Sequence, residues 1–240
     1  MADFDLTSEQ QTVRSAVREF AESEILPFVE EHEIAERYPA TLIEKLIPLG
    51  YLTPIIPERY GGSGTDVVTY GVICEELARI DWVVASVVSV TNSLVAGSIL
   101  RFGTDAQKDR WLPSICDGSV LTSACLTEPG GGSDLAGIQT RAAKIEGGWR
   151  LDGAKVFISH AAHAGVLLVA ATIDPEQRHR GVTTFLVEPG LAGVEITEVP
   201  MRTLKRDNLA IIHFDGVEVE DAAVLGEVGG GFPILGAALD

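Results

Sequence analysis

The sequence predicts an α+β protein with segregated layers. An N-terminal all-helical domain precedes an antiparallel β-barrel or sandwich, and the chain ends at the start of a truncated C-terminal helix. Three observations carry this reading. Up to residue 119, apolar side chains recur at helical spacing. From residue 120, short β-branched runs alternate with Gly and Asp-Gly turns. At 231–240, "GFPILGAALD" resumes a helical pattern, so the expected domains are 1–119, 120–230 and 231–240.

The first helix is marked by Thr7 and Gln10, which have capping-box spacing. Val13, Ala16, Val17, Phe20, Ala21 and Ile25 then form an apolar stripe, and Pro27 is positioned to kink or stop it. Pro39 to Leu49 reads as a second helix, with Pro39 in its first turn and Gly50 as its stop. "TPIIPERYGGSGTD" is a loop by its Pro and Gly content. Asp66 to Arg79 is helical again, with Val67, Tyr70, Ile73 and Leu77 on one stripe. Trp82 to Leu100 is 19 residues without a charge, long enough to span a bilayer. Its many Ser, Thr and Asn residues and its lack of basic or aromatic flanks favour a helix buried in a soluble protein, so no membrane partner is expected. "TDAQKDRWLPSICDG" predicts a short helix broken before Pro113.

In the second half, Asp152-Gly153 lies between two strand-like runs and reads as a hairpin turn. "GVLLVAAT", "VTTFLVE", "GVEITEVP" and "LAIIHFDGVEVED" read as further strands of a barrel or sandwich.

Composition narrows the function. Net charge is −17, which repels phosphate backbones and makes nucleic acid an improbable partner. Cys74, Cys116 and Cys125 are too few and scattered for a disulfide framework or a zinc site, so they are expected to be reduced, in a cytoplasmic setting. The N-terminus carries no secretory pattern, and no metal site is expected.

The stretch with most chemical content is "CLTEPGGGSD", Cys125 to Asp134. It lacks the lysine of a P-loop, and Leu135 stands where a dinucleotide fingerprint needs its third glycine. A plain tight turn is one reading. The other is a loop for a ligand recognised by backbone and hydroxyls: Thr127 and Ser133 can donate or accept, Gly130 to Gly132 keep side chains out of the way, and Asp134 can close an Asx-turn.

Here the sequence resembles the acyl-CoA dehydrogenase family of flavoproteins. "LTEPGGGSD" resembles that family's T-E-P-x-x-G-S-D pattern, and "LDGAKVFIS" its N-G-x-K-x-W-I-[ST]-N pattern. "PERYGGSGTD", "EELARID", "GTDAQKDRWLP" and "VEVEDAAVLGEVGGGF" match further landmarks in the same order, across essentially the whole chain. The resemblance implies FAD as cofactor, an acyl-CoA substrate, an electron-transfer flavoprotein as acceptor and a homo-oligomeric complete enzyme. It implies that Leu126 and Thr127 meet the flavin edge, and that Gly132 and Ser133 lie along the cofactor, with Ser133 also touching the CoA arm. Phe157 would support the isoalloxazine, with Ile158 beside it and Ser159 near the flavin N5. Strand alternation puts Lys155, Phe157 and Ser159 on one side and Val156 and Ile158 on the other. Two departures stand out: the family's Trp is Phe157, and its Asn after the hydroxyl is His160.

The implied reaction removes an α-proton from an acyl thioester and a β-hydride to the flavin, giving a trans-2-enoyl-CoA. Its glutamate base is expected beyond residue 240, so no catalytic residue is assigned, and the chain is expected to be a fragment or one subunit of the enzyme. Asp240 falls at the acid of a substrate-contacting D-x-x-R pattern. An acyl-CoA oxidase, a flavin monooxygenase or a non-catalytic flavin- or acyl-CoA-binding subunit stays open. No arginine occurs in Ala85 to Leu94, which disfavours a dicarboxylate substrate. His160 and His163 are weak metal or acid–base candidates, and Glu75 and Glu76 read as structural. Arg178, His179 and Arg180 form a basic loop that is either solvated or faces a CoA phosphate.

Overall fold

The computed structural model of the protein describes residues 5–239. Thr7 caps α1 (Ser8–Phe20) in a true capping box: its hydroxyl accepts from Gln10 N at 3.2 Å, and Gln10 Oε1 accepts from Thr7 N at 3.0 Å. Pro27 does not stop this helix. The backbone widens into a π turn, Ala21–Ile25, and continues as α2 (Leu26–Ile34), where Pro27 falls in the first turn and its missing donor costs nothing. Val17, Ala21 and Ile25 face the helical core, while Ala16 is exposed.

The helix expected over Pro39 to Leu49 is split. α3 (Ala40–Glu44) gives way to a 3₁₀ turn, Ile47–Leu49, because Pro48 has no N–H to offer Glu44. Gly50 ends the segment at φ 70°, and Ser63 Oγ closes onto its carbonyl at 2.9 Å. α4 (Val67–Ala78) begins at Asp66, whose carboxylate accepts from Val68 N and Thr69 N at 2.8 and 3.0 Å. Ile73 and Leu77 are buried as expected, but Val67, in the first turn, is 72% exposed. Glu76 is buried and receives Arg18 at 2.7 and 2.9 Å, with Arg14 and Arg79 at 3.3 Å, a role in packing α1 onto α4.

α5 (Trp82–Ser89), a π turn (Val90–Ala96) and α6 (Gly97–Phe102) form one continuous helix. It is apolar enough to cross a membrane, but 67% of its most apolar stretch is buried inside the protein. Buried Asn92 gives its amide protons to Leu52 O and Val88 O at 2.8 and 2.7 Å. α7 (Asp105–Cys116) runs through Pro113 and is not broken before it. Pro113 is exposed, so the freed Asp109 carbonyl lies on the solvent face, and Ser114 Oγ donates to Trp111 O at 3.1 Å.

Eight strands follow: β1 (Leu121–Cys125), β2 (Arg141–Ile145), β3 (Gly148–Ile158), β4 (Ala164–Thr172), β5 (Val182–Val187), β6 (Val194–Glu198), β7 (Ala210–Glu220) and β8 (Val224–Leu225). They form one sheet in the order β6-β7-β3-β2-β4-β5-β8, with β1 paired to β4. The pairing is antiparallel except for β1–β4 and β2–β4, which are parallel. Asp152-Gly153 is not a hairpin turn. The turn is at Glu146-Gly147, and Asp152-Gly153 sits inside β3 at a register shift against β7. Asp152 is used differently, accepting from Gly216 N at 2.8 Å.

β4 couples the two layers by alternation. Val166 and Leu168 pack with Val95, Ile99, Leu112 and Ile115 of the helices. Leu167, Val169 and Ala171 pack with Leu151, Phe185 and Ile212 on the other face. α8 (Gly231–Leu239) lays Ile234 into the helix-facing core, and Arg101 donates to Ala237 O at 3.1 Å.

Candidate functional site

The loop after β1 and the end of β3 are stitched into one surface. Val156 N donates to Thr127 O at 2.9 Å, and Lys155 Nζ reaches Leu126 O at 3.2 Å. The glycine stretch opens with a two-residue turn in which Glu128 and Gly131 exchange backbone bonds at 3.0 Å, leaving Pro129 and Gly130 at the tip. A Cβ on Gly130 or Gly131 would meet open space, whereas one on Gly132 would press on Thr127 Cγ2 at 3.2 Å. The three glycines therefore keep one face of the loop bare, and Gly132 lets the chain pass close to Thr127.

The two acids of the stretch face protein cations. Glu128 is buried and accepts from Lys155 Nζ at 2.8 Å, Gln139 N at 2.6 Å and Thr140 N at 2.9 Å. Burial pushes its carboxyl up, but Lys155 and these donors outweigh that and hold its pKa below the usual value. Burial lowers the Lys155 ammonium, and Glu128 raises it only in part, because Lys155 is the more deeply buried partner. Asp134 is exposed and takes Arg178 at 2.7 Å, so that residue of the basic loop closes onto the glycine stretch.

Strand alternation fails just where it matters. Lys155 is 0% exposed and Phe157 is 65% exposed, so they lie on opposite sides, contrary to the alternation expected from sequence. The cause is a register shift between Lys155 and Ile158, with Phe157 in the left-handed region at φ 58°. Ile158 is buried opposite Ala210. Ser159 follows, half-buried, its carbonyl accepting from Ser123 Oγ at 2.6 Å. Phe157 and the hydroxyls of Thr127, Ser133 and Ser159 have no protein hydrogen-bond or ring partner among the described residues. An exposed aromatic in a conformation that disfavours bulky residues, beside free hydroxyls, is a platform for a flat ligand with a polar edge.

Of the expected site residues, Leu126, Thr127, Phe157, Ile158 and Ser159 are brought together by these bonds. Gly132 and Ser133 continue along the same loop. Asp240 lies outside the described residues. Behind the corner is a cluster that sequence reasoning did not assemble. His160, at φ 63° and 1% exposed, places Nε2 3.0 Å from Ser86 Oγ of α5. His163 stacks on Tyr38 with ring centroids 3.8 Å apart. Arg206 binds Asp81 at 3.0 Å and Glu33 at 2.8 Å. Ser86, His160 and Asp207 are the residue types of a nucleophilic triad, but Asp207 Oδ1 is 3.9 Å from Nε2, the nitrogen that already meets Ser86. A triad needs the acid on the other ring nitrogen and an accessible serine, so this one is structural. Among the described residues no group of three or more His, Cys, Asp or Glu side chains is arranged to hold a metal.

A family model of the acyl-CoA dehydrogenase N-terminal domain matches residues 7–119, and a model of the acyl-CoA dehydrogenase middle domain matches residues 123–217. The chain belongs to the acyl-CoA dehydrogenase family. This acyl-CoA dehydrogenase family chain is 36% identical over 236 residues to the acyl-CoA dehydrogenase of Bacillus subtilis (strain 168), a match covering 98% of this chain and 62% of that protein. It resembles the butyryl-CoA dehydrogenase structure from Megasphaera elsdenii with a TM-score of 0.90 at 35% identity, over 97% of this chain and 62% of that one. The glutaryl-CoA dehydrogenase from Mycobacterium smegmatis in complex with FADH2 gives a TM-score of 0.86 at 31% identity, over 97% of this chain and 60% of that one. The chain thus spans a little under two thirds of the length of these relatives.

Proposed function

We propose that this chain carries the flavin- and thioester-facing surface of an FAD-dependent acyl-CoA dehydrogenase, which oxidises an acyl-CoA to the trans-2-enoyl-CoA. The observation that carries the reading is Phe157: 65% exposed, in a left-handed conformation, and flanked by the free hydroxyls of Thr127 and Ser159.

The residues fit the cofactor. Phe157 offers an aromatic face, Leu126 an apolar edge, and Thr127 and Ser159 donors or acceptors without net charge. Bound FAD would supply the hydride acceptor for the β-carbon. Ser133 is exposed past the bare glycines, which supports assigning it to the CoA arm. Glu76 and Glu128 are held by cations and are poor bases, so the α-proton acceptor is assigned to neither. An electron-transfer flavoprotein is the proposed acceptor. A short acyl chain is the first substrate to test, because the Megasphaera relative is a butyryl-CoA dehydrogenase.

FAD titration of the purified chain, followed by quenching of flavin fluorescence, tests the reading. Saturable binding that Phe157→Ala weakens at least tenfold, about 1.4 kcal/mol, is expected. No binding, or equal binding by Phe157→Ala, would overturn it.

A further inference from the structure

We propose that His160 is a positioning residue: through its contact with Ser86 it fixes the Phe157–Ser159 corner to the helical layer in the geometry that a flavin ring meets. The inference rests on the flavin reading of that corner and adds to it the device that holds the corner in shape.

The corner is bracketed by two left-handed residues, Phe157 at φ 58° and His160 at φ 63°. Histidine tolerates this conformation better than most residues, whereas a bulky aromatic such as Phe157 holds it only when its surroundings over-determine it. Each residue between them is held from a different direction. Ile158 is buried opposite Ala210 of β7. The Ser159 carbonyl is held from β1 by Ser123 Oγ at 2.6 Å. Past His160 the chain turns inward, and Ala161 is buried in the core of the sheet.

His160 adds the tie from this end of the corner to the helical layer. Its ring is 1% exposed and meets Ser86 Oγ, 74 residues earlier in the chain, at 3.0 Å. Tyr38 presents an edge to it with centroids 5.8 Å apart, and Tyr38 is in turn covered by His163. Ser86 sits in a helix that is fixed at its start, where Asp81 accepts from Val83 N at 2.9 Å and from Arg206 at 3.0 Å. Arg206 continues to Glu33 of α2 at 2.8 Å. The corner is thereby tied to α5 by the His160–Ser86 contact, and the start of α5 is tied separately to α2 and to the segment before β7 through Arg206. The shorter Asn that the related pattern carries after the hydroxyl would not span the same distance to α5. His160 is therefore a specific feature of this corner, and its loss is felt at Phe157 and Ser159, which it does not itself cover.

The test uses the full-length chain, titrated with FAD and followed by flavin fluorescence and the visible spectrum. The variants are Ser86→Ala, His160→Ala, His160→Gln and the double Ser86→Ala/His160→Ala. Loss of one neutral hydrogen bond predicts affinity about threefold weaker in Ser86→Ala, and about tenfold or more in His160→Ala, where ring packing goes too. The double variant should be no weaker than His160→Ala, because both remove the same contact. His160→Gln, whose amide reaches the position of Nε2, should recover most of the affinity and the wild-type spectrum. If the wild type binds FAD and Ser86→Ala and His160→Ala bind equally well with an unchanged spectrum, the proposal is overturned while the flavin reading stands. If the wild type does not bind FAD, the flavin reading itself falls. Should His160→Ala fail to fold by circular dichroism, Ser86→Ala and His160→Gln decide the question.

Discussion

Lys155 Nζ lies 2.8 Å from Glu128 Oε1, with both groups out of solvent. This pair joins the two sequence patterns that mark the site, one residue from each. Its first consequence concerns stability. Removing one member of a buried pair leaves an uncompensated charge, which costs about 3–5 kcal/mol. Glu128→Ala also orphans the Gln139 and Thr140 amide protons, so it should destabilise more than Lys155→Met. Urea denaturation of both variants checks the order; the reverse order would show that the backbone donors find other partners.

His160 makes stability depend on pH. Burial lowers its pKa from 6.5 to about 4, with His163 adding to the shift, while Ser86, Tyr38 and Asp207 face it from the other elements. The folded state therefore binds fewer protons than the unfolded chain between these values, so stability rises with pH across that window. The contribution is fully present above about 6.5 and is lost as pH falls toward 4. Melting temperature measured from pH 7 down to 4 should fall, and His160→Gln should flatten the profile.

Phe157 and Phe185 should respond in opposite ways. Phe185 is 0% exposed, and its truncation to Ala should cost about 3–5 kcal/mol. Phe157→Gly removes an exposed ring and the left-handed penalty of roughly 1–2 kcal/mol, against a glycine entropy cost of roughly 0.5–1 kcal/mol. Its stability should stay within about 1 kcal/mol of wild type while FAD affinity drops. A large stability loss in Phe157→Gly would mean that the ring belongs to the protein core and not to a ligand.

Gly153 should tolerate no side chain. A Cβ there would sit 2.7 Å from Thr140 Cα, and the residue has φ +153°. Gly153→Ala is expected to lose about 1–3 kcal/mol by chemical denaturation, with the damage reported first in the Glu128–Thr140 contact that the same segment makes. Gly130→Ala, with open space around it, should be nearly neutral and serves as the comparison.

Local chemistry explains which elements were legible in the sequence. Thr7 with Gln10, and Asp66 ahead of an apolar stripe, mark helix starts because caps act within three residues. The β4, β5, β6 and β7 runs are legible because alternation and β-branching are local as well. Several expectations failed where a missing donor, solvent or a non-local partner decided, these among them. Pro113 stayed inside α7 because its face is exposed, Pro48 split a helix by withdrawing one donor, and Asp152-Gly153 became a mid-strand irregularity because β7 pairs across it.

By itself the sequence determined the α+β order, the buried nature of the long apolar helix and the two patterns that place the chain in its family. These follow from periodicity, composition and motif order, which are written along the chain. Only the tertiary structure decided that Lys155 turns inward and Phe157 outward, that Glu128 is a buried ion-pair partner, and that His160 meets Ser86. Those facts depend on a register shift and on contacts between residues tens of positions apart, and a bulge reverses the facing of every side chain beyond it without changing a letter of the pattern.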